Sequence, residues 1–103
     1  MTMLDLQGLP AAERVERGLA DLRDGRFSDE ALWLAAASVR LRSLGLPMPA
    51  ADLLPREPEL SLYASLGESS DDPYYRYNAW RAELDSFLSA LEGRLARLRS
   101  AGT

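Results

Sequence analysis

The side chains best suited to chemistry are concentrated in one run, Tyr74-Tyr75-Arg76-Tyr77-Asn78-Ala79-Trp80-Arg81, which holds four of the eight aromatic residues. On a helix, Tyr74, Asn78, Arg81 and Asp85 fall at i, i+4, i+7 and i+11, forming one line down one side. Hydroxyl, amide, guanidinium and carboxylate groups in such a line suit recognition of another protein, because interfaces favour Tyr, Trp and Arg. The same line also serves as an ordinary solvated face. Tyr77 and Trp80 fall on the apolar side, where packing is their first role, and Tyr75 points the opposite way.

The remaining reactive groups have simpler explanations. Asp71-Asp72 precede Pro73, which makes them capping residues for a helix that opens there. Neither has a third carboxylate at a useful helical offset, and no segment has the alternating acidic pattern of a calcium loop. Arg94, Arg97 and Arg99 come closest to a basic patch. Arg94 and Arg97 lie about 60° apart, but Arg99 points about 160° away from Arg97. Cations in a last helical turn are expected from the macrodipole alone.

Three absences narrow the chemistry further. The chain has no cysteine, which removes disulfides, thiol catalysis and thiolate metal sites. It has no histidine, the commonest general base and transition-metal ligand. It has no lysine, so Schiff-base and P-loop chemistry are excluded. Catalysis is not expected, and no residue is assigned a catalytic, cofactor-binding or metal-ligating role. The twelve basic residues are all arginine. With the surplus of Ala, Gly and Pro, this reads as the codon bias of a GC-rich bacterial genome.

A net charge of −4 opposes binding to nucleic acid or to an anionic membrane. The longest apolar run, residues 31–37, is far shorter than the roughly 20 residues of a membrane span. The first thirty residues carry no apolar stretch behind a basic start, so a cytoplasmic location is expected.

The elements that hold these groups are helices. Only Thr2, Val15, Val39 and Thr103 are β-branched, against twenty leucines and fifteen alanines. Strands are built from β-branched and aromatic residues, whereas Leu, Ala, Arg and Glu suit helices. The expected fold is all-α: a single compact bundle of three main helices, about 10–24, 28–44 and 73–100, plus a short one at 58–66.

Pro10 opens the first helix, with Ala12, Val15, Leu19 and Leu22 on its inner stripe and glycine at position 25 closing it. Ser28 caps the second, which is apolar on two faces: Leu32, Ala36 and Val39, and nearly opposite, Trp33, Leu34, Ala37, Leu41 and Leu44. Such a helix belongs at the centre of a bundle. Residues 46–58 carry four prolines and form a connector, with room for a single turn between 50 and 54. Leu60 and Tyr63, joined by Leu62 and Leu66, face inward on the short helix, which Gly67 stops. In the last helix, Tyr77, Trp80, Leu84, Phe87, Leu88, Leu91, Leu95 and Leu98 share one arc at about 100° per residue.

The functional expectation is a protein-interaction or scaffold module that forms a homodimer. Leu91, Leu95 and Leu98 are expected to overhang the bundle and meet a second copy or another protein, together with the line Tyr74, Asn78, Arg81 and Asp85. In the competing arrangement Met3, Leu4 and Leu6 fold back over that overhang. The alternative function is binding of a small molecule in a pocket between helices lined by Trp33, Tyr63, Tyr77 and Trp80.

Overall fold

Side-chain caps open two of the helices in the computed structural model, which describes residues 6–69 and 71–101, with Ala101 by its backbone alone. Among these residues the chain is all-α: α1 (Ala12–Arg23), α2 (Asp29–Ala35), α3 (Ser38–Ser43), α4 (Pro58–Ser69) and α5 (Pro73–Ala101), with one 3-10 turn at Ala51–Leu53 in the connector. The Ser28 hydroxyl accepts from the Ala31 amide at 3.2 Å and donates to Asp21 of α1, so one side chain starts α2 and ties it to its neighbour. The Asp72 carboxylate accepts from the Tyr75 amide at 3.0 Å, and Pro73 takes the first helical position of α5. No helix among the described residues is long and apolar enough to cross a membrane.

Helix α2 is the hub. It packs against α1, α4 and α5, and Ala31, Leu32, Trp33, Leu34 and Ala35 are all buried. Five consecutive buried positions cannot share one helical face, so α2 is enclosed on every side. Its crossing with α1 is close. A Cβ on Gly18 would stand 2.6 Å from Leu34 Cδ1 and 2.7 Å from the Glu30 carbonyl oxygen, so only glycine fits this crossing as built.

Four local features depart from the pattern. First, α1 begins at Ala12 rather than Pro10, because residues 6–11 turn to bring Leu6 and Leu9 into the core and leave Ala11 left-handed at φ 58°. Second, residues 28–44 are two helices. The Ala37 amide closes on the Leu34 carbonyl at 3.0 Å, an i to i+3 bond, and α3 starts afresh at Ser38. The apolar pattern offered two opposite faces over its whole length, but the neighbours of α2 enclose only the pattern's first half. The break satisfies Leu41 and leaves Val39 78% exposed. Third, α4 continues through Gly67 to Ser69. Its buried residues are Leu62 and Leu66, a single i, i+4 stripe, while Leu60 and Tyr63 face outward. Fourth, Leu91 is fully buried in the core, so it is not part of an exposed overhang.

Helix α5 spans roughly 43 Å at 1.5 Å per residue and sets the long dimension of the molecule, which measures 49 × 28 × 19 Å. It buries Trp80, Leu84, Phe87, Leu88 and Leu91 against the body.

Candidate functional site

The four aromatics expected to share a pocket form two separate pairs. Trp33 and Trp80 meet edge to face, 5.7 Å between centroids, inside the core. The Arg14 guanidinium lies 4.5 Å from the Trp80 ring centroid and pairs with Glu83, capping the buried indoles from outside. Tyr63 and Tyr77 make a second edge-to-face pair at 5.8 Å, nearer the surface. Pair geometry, rather than a shared cavity, accounts for the spacing of these residues.

A cleft does exist nearby, and it was built by the helix break. It holds about 390 Å³ between the Ala36-Ala37 junction, the start of α3, α4 and α5. Trp33, Leu62, Leu84 and Leu88, all buried, line its apolar part, and Val39 and Tyr77 also border it. Of the expected four aromatics, Trp33 and Tyr77 line this cleft, whereas Trp80 and Tyr63 do not.

Polar groups from the expected interaction line converge on the same rim. Arg81 and Asp85 border the cleft, one turn apart on α5. The Tyr77 hydroxyl donates to Glu59 at 3.2 Å, and Arg81 approaches that carboxylate at 3.9 Å. The hydrogen bond with Tyr77 and the charge on that side chain, with smaller contributions from the Glu59 and Asp85 carboxylates, raise the Arg81 pKa above its ordinary value. Tyr74, Asn78, Arg81 and Asp85 are all exposed on one side of α5. Glu92 extends that side and accepts from Arg40 Nε at 2.9 Å, which fixes α3 to α5 next to the break.

The expected overhang is smaller than its sequence pattern. Leu91 is enclosed, Leu95 is half-buried against the core, and only Leu98 stands out at 60% exposure. Leu6 is part of the core, while Met3 and Leu4 of the proposed fold-back lie outside the described residues. A shallow groove of Ser43, Leu44, Leu95, Leu98 and Arg99 is what remains at that end.

A larger open cleft of about 1100 Å³ lies between the turn before α1 and the middle of α5, lined by Glu13, Arg14, Glu16, Arg17 and Glu83 among others. Its mixed charges are engaged in part by the Arg14–Glu83 pair, and nothing in it converges on one position. No group of three or more potential metal-ligating side chains occurs among the described residues.

Sequence reasoning missed two members of the central site, Val39 and Arg40. Both follow the Ala35-Ala36-Ala37 run, and since alanine is the strongest helix former, nothing in the local sequence signalled the break. No protein-family model, curated protein or solved structure matches the chain.

Proposed function

We propose that the chain is a small, non-catalytic protein-interaction or scaffold module of the cytoplasm that associates with a second copy of itself. The observation that carries this reading is Val39, 78% exposed on the border of an apolar-floored cleft. Single exposed apolar side chains are normal and need no explanation. A protruding apolar group beside a hollow on one surface is different, because a two-fold interface presents that surface twice and sets each protrusion against the other's hollow. The neighbouring Tyr74, Asn78, Arg81 and Asp85 supply the mixed polar rim of such an interface. The net charge of −4 opposes binding to nucleic acid or an anionic lipid surface.

Light scattering at micromolar concentration tests the reading. The expected mass is twice the 11.4 kDa of the chain. A monodisperse monomer overturns self-association.

A second reading has one observation in its favour, the apolar floor of Trp33, Leu62, Leu84 and Leu88. In it the cleft takes a small amphipathic molecule, with Arg81 or Asp85 orienting its polar end. Saturable binding of an anilinonaphthalene dye to monomeric protein, lost in Leu62→Gln, would support this reading over the first.

A further inference from the structure

The charge pattern of α5 specifies how two copies would meet. We infer that the exposed side of α5 carrying Tyr74, Asn78, Arg81, Asp85 and Glu92 is an antiparallel homodimer face, with the two-fold axis between Arg81 and Asp85. This inference rests on the self-association proposed above.

The five residues lie within an arc of about 60° at about 100° per residue, and all five are exposed. Opposite charges one turn apart are self-complementary in an antiparallel pair. With the axis between them, Arg81 opposes Asp85 of the partner subunit and Asp85 opposes Arg81 of the partner subunit. The same register sets the Tyr74 hydroxyl against Glu92 of the partner subunit.

The neighbouring registers and the parallel pairing are penalised. A slip of one turn in one direction places Asp85 opposite its own copy, and a slip in the other direction does the same for Arg81. A parallel pairing opposes like charges at both positions. Juxtaposed like charges work against these alternatives, which is how electrostatics selects geometry in interfaces.

Exposed ion pairs contribute little affinity by themselves. Here the charges fix the register, and apolar groups supply the contact area. Val39 borders the same cleft as Arg81 and Asp85, so it stands beside the proposed axis and meets the partner's cleft. Tyr74 adds an exposed ring at the outer edge.

Charge reversal provides the test, read by sedimentation equilibrium of the full chain with circular dichroism as the fold control. Arg81→Asp and Asp85→Arg should each weaken the dimer by at least about tenfold, since each turns two attractive pairs into repulsive ones. The double variant restores both pairs with their signs exchanged and should return the dissociation constant to within about threefold. If a single reversal loses helical signal, Arg81→Gln, Asp85→Asn and their combination replace it. Each neutral variant should then weaken the dimer, and combining them should add nothing further. A dimer unaffected by these changes overturns the α5 face while self-association stands. A chain that is monomeric without any substitution overturns both.

Discussion

The indole nitrogen of Trp33 donates to the backbone carbonyl of Trp80 at 2.7 Å, and the same two rings pack edge to face. One side chain on α2 thus fixes both the height and the rotation of α5, the helix that carries the candidate interface. The bond is buried, and a ring at this position is 1% exposed. Trp33→Phe keeps much of the ring but forfeits the donor and leaves a gap, so it should cost about 1–3 kcal/mol. Trp33→Ala removes the whole ring and should cost about 3–5 kcal/mol. Urea denaturation measures both; equal costs would mean that the hydrogen bond and the ring volume lost in Phe contribute all of the side chain's effect.

Gly18 sets a contest between propensity and packing. In an exposed helix, alanine is favoured over glycine by about 1 kcal/mol. At this position the added Cβ meets Leu34 Cδ1 at 2.6 Å and the Glu30 carbonyl oxygen at 2.7 Å. The leucine methyl can rotate away, but the carbonyl belongs to α2's own backbone. Steric cost should therefore win, with Gly18→Ala destabilising by about 1–3 kcal/mol in thermal melts. A stabilised variant would mean that α1 and α2 can separate freely.

What the sequence made legible was local. Ser28 and Asp72 announced their helices through capping chemistry that acts within three residues. The seam of α5 was readable because Trp80, Leu84, Phe87, Leu88 and Leu91 repeat over several turns. Val39 was misplaced for a reason of longer range. Its phase with Leu32 and Ala36 holds only if the helix stays straight, and the break depends on which neighbours α2 touches. Leu60 and Tyr63 failed similarly: α4 is short, and Leu62 with Leu66 fits an inward stripe equally well. Leu91 was read as overhanging because a periodic pattern gives the direction of a side chain, not how far the neighbouring body extends.

Val39→Ser separates the broken helix from a continuous one. At 78% exposure the substitution should change folding stability by no more than about 0.5 kcal/mol. A continuous, core-facing helix would make it cost about 1–3 kcal/mol, through burial of a hydroxyl and loss of methyl packing. The same variant should weaken self-association, because it removes the apolar group beside the cleft. Denaturant melts and light scattering on one preparation read both effects, and a large stability loss would restore the unbroken helix.

The end of α5 offers the sharpest contrast within one seam. Leu91 is completely enclosed and Leu98 is 60% exposed, although both lie on the same apolar arc. Leu91→Ala, like Leu84→Ala, should cost about 2–5 kcal/mol, since each leaves a cavity in a packed core. Tyr75→Ala, on the opposite side and 71% exposed, should be nearly neutral. Leu91→Glu would bury a carboxylate within the apolar core, and should abolish folding. Leu98→Glu should leave the melting temperature almost unchanged. Leu98 also lies off the proposed α5 face, so the dimer should survive its substitution while failing in Arg81→Asp. Dissociation by Leu98→Glu alone would move the interface to the groove of Leu44, Leu95 and Leu98.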